Sequence, residues 1–327
     1  MLASACDDRT MHAVTIVDEA LQWLERPDPK PGHGELLVRV HAAGLNAADR
    51  LQLAGLYPAP AGSPADIPGL ELAGEVVEVG EGASRFAVGD RVMAIVGGGA
   101  QAELAVVHER VAMPIPAGVH WVEAGGFAEA FTTAHDALFA QCGLAMGERV
   151  CVHGAAGGVG VAAVQLAAAA GARVVATVRA EQQRAPLAEL VYGEGSVEVV
   201  APEGFETRGP YDVILELVGG PNLAADLRCL ATGGRIAVIG VGAGPKAEIN
   251  LLALMQARGR IHGSTLRARP LEEKAAAARR VEHHVLPLLT AGRLRVPVEA
   301  SYPMHEAKAA YERFARGGKL GKIVLLA

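Results

Sequence analysis

Cysteine is scarce and scattered. Cys6, Cys142, Cys151 and Cys229 are the only four in 327 residues, and no two form a Cys-x-x-Cys pair. That spacing offers no disulfide framework, and it fits free thiols in a reducing cytoplasm. No run of basic residues is present, and the formal net charge is −6, which argues against nucleic acid as a partner. The opening "MLASACDDRT" holds Asp7 and Asp8 and has no apolar core, so it does not read as a secretory signal. It reads as an extension, or a mis-called start, ahead of "MHAVTI", a strand-like run. One stretch lacks charge altogether: no Asp, Glu, Lys or Arg lies between Val150 and Ala172. The stretch is long enough to span a bilayer.

What that stretch contains argues against a membrane helix. "RVCVHG" is a short valine-rich run ending in glycine, the pattern of a buried strand. Gly154, Gly157, Gly158 and Gly160 follow, and a lipid-facing helix would lose roughly 1 kcal/mol at each relative to alanine. "VGVAAVQLAAAAGA" reads as a helix of small residues stopped at Gly171, and "RVVATV" as a second strand. Strand, glycine turn, helix and strand in about 30 residues form a dinucleotide-binding unit. In this reading Gly157 takes a positive φ at the bend. Gly158 or Gly160 lets backbone approach a pyrophosphate and lets helix pack on strand. The helix N-terminus offers unpaired N–H groups to the anion.

The second strand lacks the acid that an NAD site places at its end to hold the ribose 2′-hydroxyl. "ATVRAEQQR" presents Arg179 there instead, and Glu181 reads as the start of the next helix. Arg179, with Arg184 near it, suits a 2′-phosphate; the alternative is two solvated arginines on a surface loop. Further strands are expected in "YDVILELVGG", "GGRIAVIGVGAG" and "GRIHGSTLRA". Ligands of open parallel sheets sit at the carboxyl ends of the strands, so Leu217, Val218 and Gly219, and Gly240, Val241 and Gly242, should flank the cofactor unless their glycines are simple turn residues. Residues 269–293 read as one long helix, with Pro270 in its first turn and Gly292 at its end.

The first 130 residues differ. Short apolar runs cut by glycine and proline, such as "GELLVRVHAAGLN" and "AELAVVHERVAMPIP", read as a β-rich, barrel-like domain. "GLYPAPAGSPADIPG" reads as a loop without regular structure. The C-terminal "HEAKAAYERFARGGKLGKIVLLA" reads as a helix and then a strand that returns to the N-terminal domain. The expected class is α/β: a Rossmann doubly wound parallel sheet at 132–269, and a GroES-like β-rich catalytic domain from 1–131 and 270–327.

From Met11 onward the chain resembles the zinc-independent quinone oxidoreductases of the medium-chain dehydrogenase/reductase superfamily. The motifs are "GLNAADRLQLAGLYP", "PGLELAGEVVEVG", "FTTAHDAL", "HGAAGGVG", "GSTLRAR" and "GKIVL". "GLYPAPAGSPADIPGLE", "GGGAQAE" and "LRAR" are similar to the tumour-suppressor-induced quinone oxidoreductase type. The resemblance implies NADPH in an interdomain cleft, a quinone or enone substrate, and a homodimer formed through the Rossmann sheets. It places Asn46 and Tyr57 beside the nicotinamide as the catalytic pair. It places Asn46, Thr133, Gly157, Gly158, Val159, Arg179, Gly240, Leu266 and Arg267 against the cofactor. Gln183 falls where many relatives carry a lysine for the 2′-phosphate.

Zinc-dependent relatives carry a cysteine where this chain has Asn46, and a histidine where "GLE" has Leu70. His283 and His284, adjacent in a helix, point to different sides, so no metal site is expected. The alternatives are an enoyl-thioester reductase and a non-enzymatic NADPH-binding protein.

Overall fold

A computed structural model describes residues 9–192 and 195–327; Cys6 and most of the expected N-terminal extension lie outside the described residues. The chain opens with an antiparallel ribbon, β1 (Thr10–Val17) and β2 (Ala20–Pro27). There follow β3 (Glu35–Gly44), α1 (Ala47–Leu53), β4 (Glu71–Val79), β5 (Arg91–Ile95), β6 (Leu104–His108) and β7 (Ala112–Pro114). Residues 55–69 hold neither helix nor strand, as their prolines require. Helices α2 (Trp121–Gly125) and α3 (Ala128–His135) lead through a π-helical turn, Asp136–Gln141, into β8 (Arg149–Val152).

The alternation then runs α4 (Gly158–Ala169), β9 (Arg173–Thr177), α5 (Arg184–Glu189), β10 (Val197–Val200), β11 (Tyr211–Glu216), α6 (Gly220–Arg228), β12 (Leu230–Val238), α7 (Leu251–Ala257) and β13 (Arg260–Gly263). After α8 (Leu271–His284) and α9 (Leu286–Thr290) come β14 (Val298–Pro303), α10 (Ala307–Ala315) and β15 (Lys322–Leu326).

Two large sheets result. Strands β8 to β13 form a parallel sheet in the order β10-β9-β8-β11-β12-β13, the doubly wound arrangement whose crevice opens where the order reverses, between β8 and β11. The seven-stranded sheet runs β14-β15-β3-β4-β5-β7, with β6 also on β3. The C-terminal strand returns as expected: Leu325 pairs with Ala43 on β3. One apolar core joins the two units, from Met93 and Met113 through Phe127 and, on α3, Phe131 to Val150 and Leu215. The uncharged stretch is β8, a turn and α4. Its polar residue Gln165 is fully buried, and its amide exchanges two hydrogen bonds of 2.9 Å with the backbone of Arg295. No helix among the described residues is long and apolar enough to cross a membrane.

Two local expectations need correction. Gly157 has φ −74°; the left-handed bend is made by Gly154, at φ +65°. And 269–293 is not one helix. It breaks at Val285, because Pro287 has no N–H to donate back to residue 283 and its ring crowds that carbonyl. Nothing in the hydrophobic pattern announces α1, yet a capping signal does: Asn46 is its N-cap, with Asp49 three residues on accepting the Asn46 N–H at 2.7 Å.

Candidate active site

The crevice side of the parallel sheet begins with the glycine turn. Gly157 caps α4 with no side chain bonded to the helix end, so the first N–H groups of a 12-residue helix are left without intrahelical partners. The three glycines do separate things. A β-carbon on Gly160 would lie 2.6 Å from Ala155 Cα, so this residue lets the helix sit on the turn. One on Gly158 would lie 2.5 Å from Cδ of Lys322. One on Gly157 would meet nothing nearer than 3.5 Å, so the cradle is open on that side. An uncapped helix start, bare of side chains and open, fits a pyrophosphate. Val159 sits in the same first turn, half-buried.

The other strand ends form the remaining rim. Gly240 donates to Glu216 O at 3.1 Å, and a β-carbon there would lie 2.5 Å from Leu217 O, so the loops after β11 and β12 are packed backbone to backbone. The N–H groups of Val218 and Gly219 both donate to Oε1 of Glu216. Val241 stands exposed. Arg179 is exposed after β9, while Arg184 spends its Nε on Val178 O at 3.3 Å. Gln183 is buried in a 3₁₀ turn, and its Nε2 has no partner among the described residues.

Under these loops lies a buried polar unit. His153 contacts Asp226 Oδ1 at 2.9 Å through Nε2 and Thr177 Oγ1 at 3.1 Å through Nδ1. With Glu216, His153 and Asp226 are the one group of three metal-ligand types among the described residues whose ligand atoms lie within 4.8 Å. Their atoms are largely engaged: the Glu216 carboxylate accepts from Val218, Gly219 and Asn222. The unit ties the ends of β8, β9 and β11 together beneath the crevice. Burial raises the Glu216 carboxyl above its usual range.

The opposite wall is built around Lys322, at the start of β15 and buried. Its Nζ donates to Leu45 O at 2.8 Å, Asn46 Oδ1 at 2.7 Å and Glu71 Oε1 at 2.6 Å. Asn46 in turn donates through Nδ2 to Glu71 Oε1 at 3.0 Å and Gly44 O at 3.2 Å. Both amide hydrogens of Asn46 are therefore used within the protein. Glu71 Oε2 accepts the Glu129 N–H at 2.8 Å, and Thr133 donates to Glu129 Oε1 at 3.2 Å. Burial, reinforced by Glu71, pushes the Glu129 carboxyl up to about 7. Burial likewise pushes Asp49 up to about 7, although it accepts the N–H groups of Asn46 and Gly69.

Arg267 is 2% exposed and fully engaged. It donates to Gly97 O at 2.7 Å, Tyr57 O at 3.0 Å and Gln52 Oε1 at 2.5 Å, and its guanidinium lies 5.2 Å from the Tyr57 ring centroid. It fastens the proline-rich loop. Leu266 beside it is buried. Half-burial raises the Tyr57 phenol above its usual range, and its hydroxyl makes no hydrogen bond among the described residues.

Of the expected residues, Asn46 and Gly158 adjoin Lys322 and Thr133 bonds Glu129, Tyr57, Leu266 and Arg267 form the loop side, and the others lie on the glycine turn and at the ends of β9, β11 and β12. Sequence reading missed Glu71, Glu129, Asp49 and Lys322. The signals were present: Glu71 stands next to Leu70 in "GLE", and Lys322 lies inside "GKIVL".

Comparison with known proteins bears on the same residues. Residues 32–141 match the alcohol dehydrogenase GroES-like domain family, and 188–325 match the family described as zinc-binding dehydrogenase. The quinone oxidoreductase of Mus musculus is 32% identical over 313 residues, covering 91% of each chain. The chain belongs to the quinone oxidoreductase family of the medium-chain dehydrogenase/reductase superfamily. Within that superfamily its architecture is shared by a mycobacterial protein solved in complex with NADPH: TM-score 0.83, 27% identity, 97% of this chain and all of the other. A segment of a phenolphthiocerol/phthiocerol polyketide synthase of Mycobacterium tuberculosis is also 32% identical, over 94% of this chain and 14% of the synthase polypeptide. The family assignment covers both sheets, so the GroES-like and Rossmann expectations hold.

Proposed function

We propose that this chain is an NADPH-dependent reductase of quinones and activated enones that works without a metal ion. The observation that carries the reading is the contact of Gly158 with Lys322. It sets the anion cradle of α4 directly against the Asn46–Lys322–Glu71 cluster, so that a dinucleotide lying on the cradle ends in a polar cleft. Gly157, Gly158 and Val159 would hold the pyrophosphate, and Leu217, Val218, Gly240 and Val241 would line the adenosine and ribose. Arg179 would meet the 2′-phosphate. Gln183, whose buried Nε2 has no hydrogen-bond partner among the described residues, lies on that side. Bound NADPH would supply the hydride.

The chain's own residues orient the acceptor and hold charge. Positions 46 and 70 carry Asn and Leu, neither of which ligates zinc as cysteine and histidine do. Without a Lewis acid, simple alcohols and ketones are poor substrates. Quinones need less help, since aromatisation stabilises their reduced form. Tyr57 supplies the donor to the developing oxyanion, its phenol being uncommitted and its ring fixed beside Arg267. Asn46 acts as a positioning residue, its amide locked between Lys322 and Glu71. With the hydride transferred, a single proton completes the reduction, and solvent supplies it. Thr133 and Glu129 form the cofactor-side wall with Lys322.

We further take 1–131 with 270–327 as the catalytic unit and 132–269 as the nucleotide unit, assembled as a cytoplasmic homodimer. Three described cysteines, all free and buried, support the location. The polyketide synthase match favours a second reading, reduction of an enoyl thioester. Steady-state kinetics with ortho- and para-quinones, a free enone, an enoyl thioester and a primary alcohol separate the readings. Quinone turnover with NADPH supports the first. Turnover of the thioester alone moves the assignment to the second, and alcohol oxidation with quinones inert overturns both.

A further inference from the structure

Behind α3, away from the cleft, lies a groove of about 370 Å³. Its walls are Phe139 and Ala140 of the π-helical turn, Leu166, Ala169 and Ala170 at the end of α4, and Val285 and Leu288. His135, His284 and Arg280 complete it. On α3, Glu129 and Thr133 are four residues apart and share the cleft face. His135, two residues past Thr133, points to the other side. The groove is therefore separate from the dinucleotide crevice.

Its polar end is cationic and incompletely paired. Arg280 reaches Asp136 Oδ1 at 3.2 Å, but the same carboxylate is already held by Arg269 at 2.7 Å. Arg269 also faces Glu273 at 4.0 Å, an acid whose side chain is largely exposed, where water screens it. Nε of Arg280 is buried with no hydrogen-bond partner among the described residues. The Arg280 side chain is 39% exposed, so the guanidinium is open to an incoming acceptor. His135 Nε2 and His284 Nδ1 share a hydrogen bond of 3.1 Å, and His284 stands at the exposed rim as a second polar contact. The rest of the lining is aliphatic or aromatic.

We propose that this groove is a second ligand site, for a small amphipathic carboxylate: its head on Arg280 and His284, its tail along Leu166, Ala169 and Leu288. At about 30 Å³ per non-hydrogen atom the groove takes roughly a dozen such atoms, at the low end of small-molecule sites. Decanoate is the probe. Calorimetric titration into the NADPH-saturated protein should show one saturable site. Arg280→Gln should weaken it tenfold or more, the loss expected for one charge-assisted bond. Ala140→Trp, a change at an exposed rim position that leaves Arg280 in place, should block it by filling the mouth. Decanol, uncharged, should bind at least tenfold more weakly than decanoate. Absence of saturable binding, binding unchanged in both variants, equal binding of decanol, or displacement of decanoate by NADPH would each overturn the assignment.

Discussion

Lys322→Met and Glu71→Gln, made singly and together, test whether the buried ammonium–carboxylate pair acts as one unit in the cleft wall. The two side chains are 4% and 0% exposed and 2.6 Å apart. Without Lys322, Glu71 keeps the Asn46 amide and the Glu129 N–H but no counter-charge. Without the Glu71 charge, the ammonium keeps only the neutral acceptors Leu45 O and Asn46 Oδ1. Removing one partner of a buried pair costs about 3–5 kcal/mol. Methionine at 322 retains the stem that fills the space over Gly126 and Gly158, so its loss is electrostatic rather than steric.

The double variant leaves neither charge stranded. Its cost should fall short of the sum of the singles by about 2–3 kcal/mol. Urea unfolding followed by tryptophan fluorescence reads this on the correct side of the molecule. Trp121 of α2 stacks on His41 of β3 at 4.4 Å, and Trp23 lies on β2. Additivity of the two changes within about 0.5 kcal/mol would refute the coupling. Single losses below about 1 kcal/mol would put the pair among weak surface bridges.

Other expectations are as direct. Arg179→Ala should reduce the preference for NADPH over NADH by roughly ten- to a hundredfold, with NADH affinity unchanged, by titration of both cofactors. Tyr57→Phe should lower kcat/KM for quinones while leaving the melting temperature unmoved, whereas Arg267→Ala should loosen the 55–69 loop and raise KM. Glu129 titrates near 7 when folded and about 4.3 when unfolded, so the native state binds more protons between those values and stability falls as pH rises through that window. Glu129→Gln should gain on the wild type from about pH 4 to about pH 7 and run parallel above it, in melting temperature against pH. Gly160→Ala should disrupt the turn, because the added carbon meets Ala155 and Gly154 backbone that cannot move aside. Gly157→Ala, at φ −74° with open space, should fold normally.

What could be read in advance followed the range of the interactions. The glycine turn, the alternation into β9, β11, β12 and β13, and the return of β15 rest on local periodicity and composition, which the sequence displays in order. Gly154 taking the bend in place of Gly157 is one step beyond that. The glycine spacing shows that freedom is needed, but not which residue uses it. The break at Val285 was also visible as Pro287, and was missed because Pro270 and Gly292 framed a longer helix so neatly. The polar cleft is a different case. Lys322 meets its acceptors across 251 to 277 residues, and Arg267 across 170 to 215. No spacing rule spans such distances. A lysine in "GKIVL" is locally a polar residue at a strand entrance, and only the pairing of β15 with β3 turns it inward.

That pairing also explains why the cleft needs both chain ends. Asn46 leaves β3 where β15 begins, since Leu45 donates to Ile323 O at 2.9 Å. The strand that carries the ammonium is thereby fixed against the strand that carries the amide. Gly321, one residue earlier, bridges to Gly157 of the glycine turn, and its N–H donates to Ala156 O at 2.8 Å. Three consecutive residues of the C-terminal segment therefore touch the glycine turn, the buried ammonium site and the seven-stranded sheet in succession. A shift of one residue in the register of β15 would turn Lys322 to the other face of the sheet. It would strand Glu71 in the core and pull the Gly321 contact from the glycine turn. The register of a single short strand thus sets both the cation in the cleft and its distance from the cradle. The two sheets can build one site only if that strand pairs correctly.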